Sequence, residues 1–171
     1  MFPTNWWIYL LTALIPMIIG SIYYSPKVAG NAWMKTNGFT EESLEGANMA
    51  VILGISYVLS IFISMAMAQL CIHQGGVAQL MMPEMLESGS AAQTTFNDLM
   101  NTYGHKYRTF GHGALHGFFS TIFFILPIIA INAMFERRGW KYVWIHVGYW
   151  AISLSLIGGI VSQFLTWAPM S

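Results

Sequence analysis

Long apolar segments alternate with short polar segments along this chain. Four intervals lack any Asp, Glu, Lys or Arg: residues 1–26, 46–83, 109–135 and 142–171. Each interval is longer than the roughly 20 residues that an α-helix needs to cross about 30 Å of hydrocarbon. The pattern predicts an all-α integral membrane protein, a bundle of four transmembrane helices. The predicted spans lie near residues 6–25, 48–72, 110–134 and 143–167.

The segment at residues 75–108 is the one sizeable polar stretch between predicted spans. Its first half is predicted to be irregular, because it contains the helix breakers Gly75, Gly76, Pro83 and Gly89. Its second half carries apolar residues at helical spacing: Phe96, Leu99, Met100, Tyr103 and Tyr107. We therefore expect one amphipathic helix in an outer loop of a single membrane domain, residues 1–171.

Two prolines fall inside predicted spans. Pro16 lies near the middle of the first span, and Pro127 lies in the third. Proline lacks the backbone N–H that the helix needs and clashes with the preceding turn, so each is expected to kink its helix.

Composition agrees with the pattern and excludes other classes of protein. The chain has 7 Lys or Arg against 7 Asp or Glu, and 56% of its residues are hydrophobic. Zero formal net charge offers no basic face for nucleic acid. The single cysteine, Cys71, excludes an intrachain disulfide and any CxxC motif. The lipid bilayer is the expected partner.

The distribution of basic residues predicts the orientation of the chain. Five of them lie in the segments after the first and third predicted spans: Lys27, Lys35, Arg137, Arg138 and Lys141. Lys106 and Arg108 lie on the opposite side. Because basic residues favour the cytoplasmic side, both termini are expected outside. In a bacterium this means a multi-pass inner-membrane protein with periplasmic termini and a periplasmic 75–108 loop.

Small residues recur along one face of the second and fourth predicted spans. The second carries Ser56, Ser60 and Ser64, and the fourth carries Gly148, Ser155, Gly158 and Ser162. Small residues let helices approach closely in lipid, where close packing replaces the hydrophobic driving force. Helices two and four are therefore expected to make the tightest contacts, within a chain or between copies in a homo-oligomer.

Four of the five histidines gather near the outer end. His112 and His116 lie one turn apart at the start of the third span, between Gly113 and Gly117, which invite a neighbouring helix. His73 closes the second span. If the third helix extends outward unbroken, His105 and Asp98 share the face of His112 and His116, since separations of 7, 7 and 4 residues nearly match whole turns.

Three interpretations of these histidines remain open. His112, His116, His73 and His105 could bind a metal ion, because imidazoles at i and i+4 can share a zinc ion. Copper is the variant, since five methionines are near in sequence: Met65, Met67, Met81, Met82 and Met85. The rings could also act as a proton-sensitive or ligand-contacting group. The simplest alternative is a structural clasp made of hydrogen bonds.

A second polar group is predicted at the inner end. Asn132 and Glu136 end the third helix, and His146 begins the fourth, across a short hairpin. We expect Glu136 or Asn132 to accept a hydrogen bond from His146 and so to tie the hairpin together.

Several strings in the sequence resemble a known family. GSIYYSPKVAGNAWMK, FGHGALHG and FERRGWKY are similar to segments of a bacterial family catalogued as domain of unknown function 1761. The resemblance covers nearly the whole chain and implies a small four-span membrane protein. It implies no reaction or substrate, so no catalytic residue is carried over.

Three functions fit the sequence. The first is a non-enzymatic scaffold or accessory subunit, acting as a homo-oligomer or with another membrane protein. The second is a protein that binds or handles a transition metal through the outer histidines. The third is a small oligomeric transporter or channel built on the two proline-bearing helices.

Overall fold

A computed structural model describes residues 3–166, and the predicted all-α character is confirmed for this part of the chain. Its α-helices are α1 Trp7–Thr12, α2 Ile15–Tyr23, α3 Gly30–Asn37, α4 Glu41–Leu44, α5 Met49–Cys71, α6 His73–Met81, α7 Ala91–Tyr103, α8 Phe110–Ser120, α9 Leu126–Phe135 and α10 Trp140–Phe164. Trp167, the predicted end of the fourth span, lies outside the described residues.

Three helices within residues 3–166 are long and apolar enough to cross a membrane. They are α5, α10 and the continuous helix Phe110–Phe135, which contains α8 and α9. Their mean hydropathies are 2.2, 1.5 and 2.2. The first predicted span is instead the shorter apolar segment Trp7–Tyr23.

Both prolines disturb their helices, each in a different way. The segment Trp7–Tyr23 is divided into α1 and α2 just before Pro16, and the Thr12 hydroxyl bonds back to the carbonyl of Ile8 at 2.8 Å. Before Pro127 the chain forms a π-helical segment, Thr121–Ile125. Such segments interrupt the regular α-helical ladder where proline cannot donate.

The closest helix contact joins α8 to α10. A Cβ placed on Gly113 would overlap the carbonyl oxygen of Gly158, and one placed on Gly117 would lie 2.6 Å from the backbone nitrogen of Ser155. Within the chain, the prediction that the second and fourth spans make the tightest contact is therefore wrong. Three of the four small residues on α10, namely Ser155, Gly158 and Ser162, lie at the α8 contact.

Two other small residues meet the first two helices. Ser64 of α5 shares a buried hydrogen bond of 2.5 Å with Thr12 of α1. Gly148 of α10 lies beside the ring of Tyr23. Ser64 and Gly148 therefore let two different helices approach, and α10 has neighbours on several sides.

The segment Trp7–Tyr23 runs antiparallel to α10. Beyond one end, the Asn5 amide donates to the carbonyl of Phe164 at 2.7 Å. Farther along, the Tyr149 hydroxyl donates to the carbonyl of Pro16 at 3.0 Å. The two described ends of the chain also meet, because the Thr4 amide donates to the carbonyl of Thr166 at 2.8 Å.

The polar 75–108 segment contains more helix than its glycines suggest. Its first part is helical in α6, although this stretch was expected to be irregular because of Gly75 and Gly76. The predicted amphipathic helix is present as α7 and buries Phe96. It ends at Tyr103, so Tyr107 lies in the following turn with a positive φ of 63°.

Candidate metal centre

Two breaks in the helices bring three histidines together. After α5 the chain takes an extended conformation at Ile72, with φ −108° and ψ 93°, and α6 starts afresh at His73. On the other side, Thr109 caps α8 by accepting from the backbone N–H of His112 at 3.3 Å. This start places His112 and His116 one turn apart on the side of α8 that meets His73.

The three imidazoles converge through their Nε2 atoms. Nε2 of His112 lies 3.0 Å from Nε2 of His73 and 3.1 Å from Nε2 of His116. A ligand nitrogen from each ring lies within 4.8 Å of the other two. His73 is exposed and the other two rings are half-buried, so an ion can reach them from solvent.

Hydrogen bonding alone accounts poorly for these contacts. A neutral imidazole has one N–H donor and one acceptor nitrogen, each directed in the plane of the ring. Nε2 of His112 faces two other ring nitrogens, so it can form only one well-directed hydrogen bond. The second close contact therefore gains nothing in the absence of an ion.

A metal ion held by the three rings would account for both contacts. Each Zn–N bond is about 2.0–2.1 Å long, so two imidazole nitrogens on one tetrahedral zinc ion lie roughly 3.3 Å apart. The observed distances of 3.0 and 3.1 Å between Nε2 atoms are close to that separation. Three protein ligands would leave the fourth position of the ion open.

Tyr107 covers one side of the cluster. Its ring is stacked on that of His112, with centroids 4.9 Å apart and planes inclined by 25°. Nζ of Lys106 lies 5.4 Å from the centroid of the Tyr107 ring. The turn that holds these residues is fixed by Gln74, whose amide nitrogen faces the carbonyl oxygens of Tyr103, Gly104 and Lys106 at 3.0–3.2 Å.

Arg108 fastens this end of α8 to the end of α10. Its guanidinium donates to the carbonyl of Ser162 at 2.6 Å and to that of Leu165. Carbonyls at the end of a helix lack intrahelical donors and attract cations. Burial lowers the pKa of Arg108 from its usual value, but the guanidinium stays charged at neutral pH.

Two residues predicted to share the face of the cluster do not join it. His105 and Asp98 were placed there on the assumption of an unbroken helix. The helix stops at Tyr103, and the chain turns before α8 begins at Phe110. The group of potential ligands is His73, His112 and His116, and His105 is an exposed residue of the turn.

The inner polar group has different partners from those expected. Nδ1 of His146 lies 3.0 Å from the hydroxyl of Tyr24, not beside Glu136 or Asn132. Glu136 is exposed and pairs loosely with Arg138 at 3.8 Å, and Asn132 is exposed on α9. The prediction was wrong because α2 brings a tyrosine to His146 from 122 residues earlier in the chain.

Gln74 and Tyr107 are the site residues that the sequence did not reveal. Gln74 directly follows a histidine. The surrounding sequence does not predict that its side chain binds the turn about 30 residues later in the chain. Tyr107 fits the apolar spacing of the amphipathic helix. The spacing therefore predicts a helical position for a residue that lies in a turn.

Comparison with known proteins places the chain in a family without giving it an activity. No curated protein matches the chain, and no solved structure does. The family described as protein of unknown function, DUF1761, matches residues 7–162, nearly the whole sequence, and the chain therefore belongs to that family.

Proposed function

We propose that this DUF1761 protein is a four-span membrane protein that binds one transition-metal ion, zinc in the first instance, through His73, His112 and His116. The observation that carries the proposal is the convergence of three imidazole nitrogens within 4.8 Å from two separate parts of the chain. Imidazole suits both zinc and copper, and zinc is preferred because two of the soft methionine ligands that would favour copper are divided. Met67 is buried in the core with Ile157, and Met65 is on an exposed face.

The proposed role is ion binding, and the group lacks the general base of one class of zinc hydrolase. Among the described residues, the group contains three histidines and no carboxylate. Zinc hydrolases such as those with the HExxH motif use a glutamate beside the ion as a general base. One chain supplies all three histidines, so the proposed site does not depend on the homo-oligomer or membrane-protein partner expected from the sequence.

The fourth crossing of the membrane is assigned to α1 and α2 together. Contacts of Asn5 and Tyr24, which flank these two helices, reach α10 at Phe164 and His146, which lie about 27 Å apart at 1.5 Å per residue. This length approaches the thickness of the hydrocarbon core. The meeting of Thr4 with Thr166 also supports an even number of crossings.

The side of the membrane follows from the basic residues. Lys27, Lys35 and the basic residues of the hairpin 136–141 lie at the end away from the histidines. By the positive-inside rule, we place the cluster and both termini on the periplasmic side of a bacterial inner membrane.

Metal binding is tested by elemental analysis of protein purified without a histidine tag. After incubation with zinc and removal of free metal, the protein should hold about one ion per chain. His112→Gln should reduce this to below about a tenth, because it removes the ligand that contacts both other rings. His105→Gln is the matched control and should keep the full amount, since His105 stays outside the group.

A second pair of variants separates loss of the site from misfolding. His73→Cys supplies a thiolate, which zinc also accepts, whereas His73→Gln supplies no good ligand. The proposal requires the cysteine variant to bind zinc and the glutamine variant to lose it. Wild-type protein that holds less than about a tenth of an ion per chain, against the single site expected, would overturn the proposal.

Orientation is tested with cysteines introduced at His105 and Lys141. Both positions are exposed, and the native Cys71 is buried. A maleimide that cannot cross the membrane should label His105→Cys in intact cells and Lys141→Cys only after the membrane is opened. The reverse result would place the histidines in the cytoplasm.

A further inference from the structure

A cleft of about 200 Å³ lies between α6 and α7, directly beside the three histidines. His73 forms part of its wall, so the cleft and the cluster share a side chain. Val77, Leu99 and Met100 are among its apolar lining residues. An apolar cavity next to an ion with an open position suits a ligand that has both an apolar part and a metal-binding group.

The charge around the cleft indicates that the metal-binding group of the ligand is negatively charged. Lys106 lies at the cleft, with its Nζ 5.7 Å from the centroid of the Tyr103 ring. Among the described residues that line it, none is acidic. Neutral imidazoles leave the charge of a divalent ion unbalanced, so the ion and Lys106 together attract an anion.

We propose that this cleft binds a carboxylate that bears an alkyl chain. The inference deepens the proposed metal site and rests on it. The carboxylate takes the fourth position on the ion and pairs with Lys106, while the chain lies against Val77 and Leu99. A carboxylate suits this place because carboxylate oxygens bind zinc and because Lys106 lines the same cleft.

The position of the cleft suits a ligand that reaches the site from the membrane. α6 begins two residues after the end of the apolar helix Met49–Cys71, and α7 is followed shortly by the helix Phe110–Phe135. The cleft therefore lies beside the ends of two candidate spans. The cleft volume of about 200 Å³ is below the 300–1,000 Å³ usual for small-molecule sites. The cleft therefore holds only part of the ligand's alkyl chain.

The test uses cobalt-loaded protein in lipid nanodiscs, because the visible spectrum of Co²⁺ reports a change of ligand. Acetate and hexanoate are titrated separately. Hexanoate should bind at least about tenfold more tightly than acetate, since each buried methylene adds affinity. Val77→Phe, which fills the cleft, should remove this preference. Leu80→Phe is the matched control on the same helix, because Leu80 is 85% exposed and outside the cleft.

Lysine variants test the anion. Lys106→Gln should weaken both carboxylates by about three- to tenfold, whereas Lys141→Gln, at the other end of the molecule, should have no effect. Equal affinity for acetate and hexanoate, or equal effects of the two phenylalanine variants, would contradict binding of an alkyl chain in the cleft. Neither result would contradict the metal site. Hexyl phosphate that binds more tightly than hexanoate would overturn the choice of a carboxylate. Protein that binds no cobalt would overturn both the cleft ligand and the proposed function.

Discussion

Gly113 of α8 and Gly158 of α10 lie backbone against backbone, so that a side chain on either one would overlap the carbonyl oxygen of the other. This contact fixes α8 against α10 at the level of the histidine pair. Since Gly113 lies between His112 and His116, the same turn of helix carries both the packing surface and two of the proposed ligands. The rigid contact therefore determines where these imidazoles can point.

We predict that Gly113→Ala lowers the free energy of unfolding by about 1–3 kcal/mol, because the methyl group can be accommodated only by moving one helix backbone away from the other. Thermal denaturation in detergent measures the loss. Gly111→Ala is the control on the same helix, because no atom lies within 4 Å of the Cβ it would add. Because alanine favours a helix more than glycine does, Gly111→Ala should be as stable as the wild type or slightly more stable. A control variant as unstable as Gly113→Ala would contradict the contact as the cause of the loss.

The spacing of small residues predicts this interface only in part. Gly113 and Gly117 are correctly expected to admit a neighbouring helix, because their separation places both on one face. The spacing does not predict which helix is the neighbour, because the serines of α5 and the small residues of α10 recur at similar intervals. The difference lies in the partner surface, where Ser64 meets the Thr12 hydroxyl but Gly158 meets a bare backbone.

The histidine cluster was also predictable in part. An i, i+4 pair on a helix predicts that His112 and His116 face the same way, and His73 lies at the end of the preceding apolar segment. The position of His105 could not be predicted correctly, because it depends on where α7 ends. That end is fixed by the turn around Tyr107, whose backbone conformation is rare for a residue other than glycine.

Zinc should stabilise the fold as well as bind to it. An ion held by His73 and His112 links α6 to α8, so it binds the folded chain and not the unfolded one. At a free zinc concentration of about 100 times the dissociation constant, the gain is about 2.7 kcal/mol. Thermal denaturation with and without zinc measures it. Calcium, which prefers oxygen ligands, should give no shift, and neither should zinc added to His73→Gln.

Tyr107 should respond unusually to substitution by glycine. At φ 63° a residue with a Cβ is strained by about 1–2 kcal/mol, and glycine is not. Both Tyr107→Ala and Tyr107→Gly lose the stacking on His112, so the glycine variant should be the more stable of the two by about 1 kcal/mol. Tyr103, the last residue of α7, lies in the helix and provides the reciprocal control. There the alanine variant should be the more stable, because glycine disfavours a helix. The same order at both positions would contradict a strained turn at Tyr107.

The partner of His146 can be decided by removing one oxygen atom. Tyr24→Phe deletes the hydroxyl that lies 3.0 Å from Nδ1 of His146 and keeps the ring packed against Trp33 and Tyr149. Because Nδ1 then loses its partner in a half-buried setting, we expect a loss of about 1–3 kcal/mol in the free energy of unfolding. Glu136→Gln should change it by less than about 0.5 kcal/mol, since Glu136 is exposed and its ion pair is loose.

Thermal denaturation of these two variants distinguishes Tyr24 from Glu136 as the hydrogen-bond partner of His146. If Glu136 satisfied His146 across the hairpin, the Glu136→Gln variant would be the less stable of the two. If Tyr24 does so, the order is reversed, and the double variant Tyr24→Phe with His146→Phe should recover part of the loss. Replacing both members of a polar pair by apolar groups of similar shape leaves no unpaired nitrogen. Recovery would assign the loss to the hydrogen bond that ties α2 to α10, the contact on which the proposed fourth crossing depends.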